Sequence, residues 1–154
     1  MRTKRKGPIS GLPFAFWDSS AVVPLCGSQR QSAQTRQIAR THRLVVWWGT
    51  SIEVISALYR LKRESKLSPA EVRQSVERLE ILRTRWDEVT PSDSIRELAE
   101  RLLGLHKLRA ADSLQLASAL NWCDNKTRGR AFIAGDGDLL SAADAEGFTC
   151  FRIH

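Results

Sequence analysis

The sequence has no long apolar run and few cysteines or histidines. No stretch of its 154 residues approaches the roughly 18 apolar residues that a membrane span needs. Its three cysteines, Cys26, Cys123 and Cys150, are widely spaced and form neither a CxxC pair nor a zinc-ligand pattern. The three histidines are equally scattered. We therefore expect a cytoplasmic protein with reduced thiols and no membrane association, and we expect no zinc site.

Acidic residues are also in short supply. The chain has 17 of them against 24 lysines and arginines, and its formal net charge is +7. Such an excess favours a polyanionic partner such as nucleic acid, above all if the few acids gather at one place. Residues 1–13 are basic, and no apolar stretch follows that would make a secretory signal. We expect a flexible basic tail over residues 1–13 and a single domain over residues 14–154.

Strands are predicted to alternate with helices along the domain. Short apolar or β-branched runs predict strands at residues 14–17, 43–47, 86–89, 130–134 and 148–153. Helical periodicity and capping signals predict helices at residues 19–25, 29–41, 50–66, 69–82, 92–103, 108–122 and 136–146, with Gly104 ending the fifth. This alternation predicts an α/β fold with a mainly parallel sheet. Ligand sites in such sheets lie beyond the carboxyl ends of strands.

Two aspartates follow predicted strands at that edge. Asp18 comes directly after the strand at residues 14–17, and Asp136 comes one glycine after the strand at residues 130–134. Both are therefore placed where chemistry is expected in a parallel sheet. Each could instead cap the helix that follows, a role that aspartate fills well. The sequence leaves both interpretations open.

Glu53 and Asp112 also have a structural and a functional interpretation. The segment Thr50–Glu53 matches a capping box, in which the glutamate folds back onto the helix N-terminus. Its place after the second strand favours a functional role instead. Asp112 lies in an apolar helical segment, where a carboxylate is costly unless it is paired or binds a cation. A salt bridge to Arg109 at i,i+3 spacing is the structural explanation, and a metal site is the functional one.

A cluster of these acids would need a cation. Carboxylates that are brought together repel one another unless a positive charge neutralises them. Mg²⁺ and Mn²⁺ prefer such oxygen ligands, and Asp138 can reach the same ion from the turn after Asp136. An ion of this kind activates water and stabilises charge on a phosphodiester, while lysines and arginines hold the polyanion. An acidic cluster in a basic protein therefore fits phosphodiester cleavage well.

Four segments together resemble the PIN-domain nucleases, and among them the VapC-type toxins of toxin–antitoxin pairs. The segments are Phe16–Val23, Thr50–Leu58, Leu108–Ala117 and Phe132–Leu140, the last followed by Ala142, Ala143 and Gly147. Their order and spacing cover nearly all of residues 14–153. The resemblance implies a three-layer α/β/α domain with a short, mainly parallel sheet. It also implies an endoribonuclease that depends on Mg²⁺ or Mn²⁺.

The resemblance assigns roles residue by residue. The catalytic and metal-binding acids would be Asp18, Glu53, Asp112 and Asp136, with Asp138 as an auxiliary metal ligand. Ser20 matches a small polar residue that supports the first aspartate in this family. The resemblance also implies an RNA substrate, a homodimer and a cognate antitoxin protein whose segment fills the active-site groove.

Two alternatives remain at this level. The same fold could be a non-catalytic PIN-like module that binds RNA or a protein, although the complete acid set argues against lost activity. An aspartyl phosphotransferase is disfavoured, because Ser20 stands where such phosphatases need a second aspartate.

Trp47 and Trp48 place two bulky rings just before Glu53. They either pack in the core or offer a ring for stacking on a base.

Overall fold

A computed structural model of the protein describes residues 11–27 and 31–154. Most of the predicted basic tail, residues 1–10, lies outside the described residues. The remaining tail residues, 11–13, are exposed and lead directly into the first strand.

The described residues form five strands and seven helices. The strands are β1 (Phe14–Trp17), β2 (Arg43–Trp47), β3 (Asp87–Val89), β4 (Ala131–Ala134) and β5 (Thr149–Arg152). The helices are α1 (Ser19–Cys26), α2 (Gln31–Thr41), α3 (Thr50–Arg63), α4 (Pro69–Arg83), α5 (Asp93–Leu105), α6 (Ala110–Trp122) and α7 (Gly137–Ala145). All the predicted strands and helices are therefore present, with small differences at their ends.

One prediction about a helix end is wrong. Gly104 lies inside α5, and the helix continues to Leu105, where the N–H of His106 closes the last turn on the carbonyl of Leu102. A glycine in a helix costs only about 1 kcal/mol relative to alanine. Burial of Leu102 and of the rest of the apolar face of α5 offsets that cost.

The five strands form one parallel sheet in the order β3-β2-β1-β4-β5. β1 is central, since Ala15 aligns with Leu44 on one side and with Ala131 on the other. The chain builds the sheet outward from β1 to β3 and then crosses back to place β4 on the other side of β1. The strand order therefore reverses between β1 and β4. In sheets of this kind the crevice at such a reversal, beyond the carboxyl ends of the strands, is where ligands bind.

Helices cover both faces of the sheet. Successive strand residues point to opposite faces, so Phe16 packs in one apolar cluster while Ala15 and Trp17 pack in the other. Buried residues of α5, α6 and α7 complete the first cluster, and buried residues of α1, α3 and α4 complete the second. This is the three-layer α/β/α architecture predicted from the sequence. Among the described helices, none combines the length and apolarity required to cross a membrane.

Candidate active site

The five predicted acids all lie at the carboxyl edge of the sheet. Asp18 and Asp136 follow β1 and β4, the two strands between which the order reverses. Glu53 and Asp112 lie in the first turns of α3 and α6, and Asp138 lies in the first turn of α7. Their charges act on one another: Asp112 raises the pKa of both Asp18 and Glu53, and the pKa of Asp112 is raised in turn by Asp136 and Asp138. The structure thus gathers acids from four segments of the chain.

Asp18 is the most deeply buried of these acids, with 4% of its surface exposed. It caps α1, and the backbone N–H of Ser20 donates to its Oδ2 at 3.0 Å. Burial raises the pKa of Asp18, hydrogen bonds from Ser20 oppose the rise, and the charge of Asp112 adds to it. The capping role and a role in a charged site are therefore both compatible with its position, since Oδ1 makes neither of these hydrogen bonds.

Ser20 ties the end of β1 to the end of β4. Its hydroxyl donates to Asp18 Oδ2 and accepts the backbone N–H of Gly135 at 2.9 Å. Because Gly135 directly precedes Asp136, this one side chain sets the spacing between two of the acids. That contact matches the supporting role that the sequence resemblance assigns to Ser20.

Glu53 does not form the capping box that its sequence context suggested. The helix begins one residue earlier than that motif requires, at an N-cap of Gly49, which has no side chain to complete the box. The Glu53 carboxylate instead accepts hydrogen bonds from Ser19 Oγ at 2.9 Å and from Gln115 Nε2 at 3.1 Å. Burial raises the pKa of Glu53 to about 7, and the nearby charges of Asp18 and Asp112 contribute to the rise. Glu53 therefore belongs to the acidic cluster.

Asp112 lies in the first turn of α6 rather than in the middle of the helix. The helix begins at Ala110, two residues later than predicted, and Arg109 is its N-cap residue in an extended conformation. Among the described ion pairs none joins Arg109 to Asp112. Arg109 lowers the pKa of Asp112 through its backbone and its charge, but burial and the charge of Asp136 raise it more. The salt-bridge explanation of Asp112 is therefore wrong.

Asp136 and Asp138 are the exposed members of the cluster. Asp136 caps α7, where its Oδ1 accepts the backbone N–H of Leu139 at 2.9 Å. Among the described residues, none donates a hydrogen bond to its Oδ2, so no such bond would compete with a ligand for that oxygen. Asp138 forms an ion pair with the exposed Lys107 at 3.3 Å. Both carboxylates face solvent, as the ligands at the open side of a site would.

Two residues of this network were not recognised from the sequence. Ser19 and Gln115 each donate to one oxygen of Glu53, although they lie 34 and 62 residues away from it along the chain. Gln115 had one detectable signal: it is a polar residue in an apolar helix, three positions after Asp112 and hence on the same face. No local pattern distinguished Ser19 from an ordinary residue of the first helical turn.

The donor set of the cluster fits Mg²⁺ or Mn²⁺. In residues 11–27 and 31–154, no group of three or more Asp, Glu, His or Cys side chains is arranged to hold an ion as it stands. Mg²⁺, however, keeps several waters and commonly uses only one or two protein carboxylates. Carboxyl oxygens are the hard ligands that both ions prefer. Burial raises the pKa of Asp112 most, and repulsion from Asp136 and Asp138 adds to the rise; a cation would relieve that repulsion.

A groove between α1 and α3 opens beside the acids. It is lined by Ser19, Ser20, Val23, Pro24, Ile52, Glu53, Ser56, Ala57, Arg60, Leu61 and Arg63. We call it the α1–α3 groove. Its acidic end is Glu53, and its far end carries the guanidinium groups of Arg60 and Arg63, about two and about three turns further along α3. The groove therefore combines apolar walls with positive charge next to the acidic cluster.

The two tryptophans that precede Glu53 have different environments. Trp47 is 9% exposed and packs in the core on the α6 face of the sheet, whereas Trp48 is 47% exposed. The two rings meet edge to face, with centroids 6.1 Å apart. A side chain at Gly49 would collide with the Trp47 indole nitrogen. Trp47 is thus a packing residue, and Trp48 is the ring that remains open to a ligand.

We predict that Glu53→Gln stabilises the metal-free protein more at high pH than at low pH. The folded-state pKa of Glu53, about 7, exceeds its ordinary value of 4.5. The folded protein therefore favours the protonated form of Glu53. The stability that this protonation contributes is fully present below about pH 4.5 and is lost as the pH rises through about 7. The neutral amide has no such dependence, so its advantage should grow by roughly 1–2 kcal/mol between about pH 5 and pH 8, after allowance for partial exposure.

Thermal unfolding in EDTA at the two pH values measures this difference. Glu77→Gln, on the exposed surface of α4, is the matched control and should show no such trend. An advantage of Glu53→Gln that stays constant with pH would show that the Glu53 carboxylate is not held in an unfavourable environment.

The fold is shared with solved toxin–antitoxin proteins. A toxin–antitoxin complex from Klebsiella pneumoniae aligns over 80% of this chain and 88% of the solved chain, with a TM-score of 0.58 and 17% identity. VapC20 of Mycobacterium tuberculosis, described as a toxin that cleaves the sarcin–ricin loop, aligns over 88% and 96%, with a TM-score of 0.63 and 17% identity. FitAcB from Neisseria gonorrhoeae aligns over 90% and 97%, with a TM-score of 0.62 and 14% identity.

These similarities concern the fold. No protein-family model matches the sequence, and no curated protein matches it either. Over most of its length the chain nevertheless has the same fold as VapC20 and as the solved chain of the Klebsiella toxin–antitoxin complex. The fold implied by the resemblance of the four sequence segments is therefore confirmed.

Proposed function

We propose that this protein is a metal-dependent endoribonuclease and the toxin of a type II toxin–antitoxin pair. The observation that carries the proposal is the gathering of Asp18, Glu53, Asp112 and Asp136 at the point where the strand order of the sheet reverses. The pKa values of Asp18, Glu53 and Asp112 are raised, and acids with raised pKa values at such a crevice are characteristic of catalytic sites. The net charge of +7 on the whole chain, with these acids included, suits an RNA substrate.

Each of the acids has a role in the proposed site. Asp18, Glu53, Asp112 and Asp136 would hold Mg²⁺ or Mn²⁺, one or two of them directly and the others through its bound waters, with Asp138 as an auxiliary ligand. When bound, such an ion supplies an activated water and stabilises charge on a phosphodiester. Ser20 holds the Asp18 carboxylate in place, and Ser19 does the same for Glu53.

The α1–α3 groove would receive the RNA backbone. Arg60 and Arg63 would attract phosphates toward its far end, while Glu53 at its near end would place the acidic cluster beside the reacting phosphodiester. The half-exposed ring of Trp48, which follows β2 at the same edge of the sheet, would stack on an unpaired base. Together these side chains favour a single-stranded or structured RNA over a small molecule.

The proposed partners follow from the toxin assignment. We expect a homodimer in the cytoplasm and a cognate antitoxin whose segment occupies the α1–α3 groove. Exposed Ile52, at 60%, and the basic Arg60 and Arg63 give that groove an apolar and a positively charged part. A segment with apolar and acidic side chains would complement both.

Cleavage of a panel of cellular RNAs with Mg²⁺, Mn²⁺ or EDTA tests the proposal. We expect cleavage with either ion and none in EDTA, with activity restored when Mn²⁺ is added back in excess. Cleavage that persists in EDTA would refute the metal-dependent mechanism. RNA binding without cleavage under any of these conditions would support the alternative, a non-catalytic binding module.

A further inference from the structure

Gln115 is an amide that is fully buried in an apolar part of α6. None of its surface is exposed, and the four residues that follow it along the chain, 116–119, are buried as well. Its Nε2 donates to Glu53 Oε1 at 3.1 Å. Its Oε1 is buried and finds no hydrogen-bond partner among the described residues. Among the described residues, the Gln115 amide therefore has one hydrogen-bond partner, and that partner is Glu53, an acid of the candidate site.

This arrangement disfavours folding. A buried amide is costly when one of its ends remains unpaired, because the hydrogen bond to water is lost without replacement. An apolar side chain of similar size would fill the same space without that cost. Stability therefore does not explain a glutamine at this position, whereas its contact with Glu53 does.

The Glu53 carboxylate is held from two directions. Gln115 of α6 donates to Oε1, and Ser19 of α1 donates to Oε2. These two helices also begin next to the other acids: Asp18 caps α1, and Asp112 lies in the first turn of α6. Because Gln115 lies three residues after Asp112, its amide links the orientation of Glu53 to the helix that presents Asp112.

We propose that Gln115 is a positioning residue, which fixes the Glu53 carboxylate relative to Asp112 so that both can bind one divalent ion. The inference rests on the proposed function and adds a residue to it. Residues that orient a metal ligand in this way typically change metal affinity by about 10- to 100-fold when they are lost.

Binding of Mn²⁺ to the purified full-length protein, measured by titration calorimetry, tests the role without an RNA substrate. Gln115→Leu should weaken Mn²⁺ binding about 10-fold or more while its melting temperature in EDTA stays equal or rises. Gln115→Met is measured alongside, so that a packing defect specific to leucine does not decide the result. Ser118→Ala is the matched control, since Ser118 is also a buried polar residue of α6 without a side-chain partner in the described residues. It should leave the affinity unchanged.

A double-mutant cycle separates positioning from a general effect on the fold. If Gln115 acts through Glu53, then Gln115→Leu should have no further effect on Mn²⁺ affinity in a Glu53→Ala background. An equal loss of affinity in both backgrounds would overturn the proposal. So would an affinity within twofold of wild type for both Gln115 variants. If the wild-type protein neither binds Mn²⁺ nor cleaves RNA, the proposed function fails, and this inference fails with it.

Discussion

Asp18→Asn is expected to lower the rate of RNA cleavage by at least about 100-fold without lowering the melting temperature. The substitution removes a charge from the most buried acid of the cluster, where 4% of the residue is exposed. Losing a residue that merely orients a metal ligand typically costs 10- to 100-fold, so a ligand itself should cost at least the upper value, about 100-fold. Stability is maintained because burial already disfavours the ionised carboxyl, as its raised pKa shows.

Cleavage rates and thermal unfolding of the same preparations check this expectation. Asp144→Asn is the control, because Asp144 is an exposed aspartate near the end of α7 and outside the cluster. RNA binding should persist in Asp18→Asn, since the basic residues of the α1–α3 groove are untouched. A cleavage rate equal to that of wild type would rule out the site as assigned here.

Phe132→Ala is expected to reduce the free energy of unfolding by about 3–5 kcal/mol, a large fraction of the stability of a typical domain. Phe132 lies on β4 and is fully buried. Its ring stacks on Phe16 of the central strand, with centroids 5.5 Å apart, and also contacts Phe148 at 5.5 Å. The smaller side chain would leave a cavity beneath the strand that carries Asp136 at its end.

Denaturant titration measures this loss as a lower midpoint with an unchanged slope. Phe151→Ala provides the comparison on neighbouring β5, where the ring is 36% exposed, and should cost less than about 1 kcal/mol. A similarly small loss for Phe132→Ala would show that β4 is not packed between β1 and the helices as described.

The sequence by itself determined the secondary structure and the fold class. Apolar runs such as the one at β4 and the periodicity of α3 are local patterns, and the burial of one face follows from them directly. The alternation of strands and helices then left a parallel α/β sheet as the expected architecture. The positions of Asp18 and Asp136 after strands also placed them at the edge where parallel sheets bind ligands.

Local patterns were least informative at the beginnings of helices. The capping box considered for Glu53 and the salt bridge considered for Asp112, each one of two interpretations, are both sound motifs in isolation. Neither forms, because the N-cap of α3 is Gly49 rather than Thr50, and α6 begins only after Arg109. A shift of one or two residues in a helix start changes which side chains can meet, and tertiary packing decides that shift.

The tertiary structure alone decided which groups share the site. It places β4 beside β1, and with it Asp136 near Asp18. The hydrogen bonds that organise the acids join residues far apart along the chain: Ser19 to Glu53 across 34 positions, Gln115 to Glu53 across 62, and Ser20 to Gly135 across 115. A periodic pattern reports which face of an element is buried, but it contains no information about what that face meets. The acids could therefore be named from the sequence, whereas the residues that hold them in place became visible only in the folded chain.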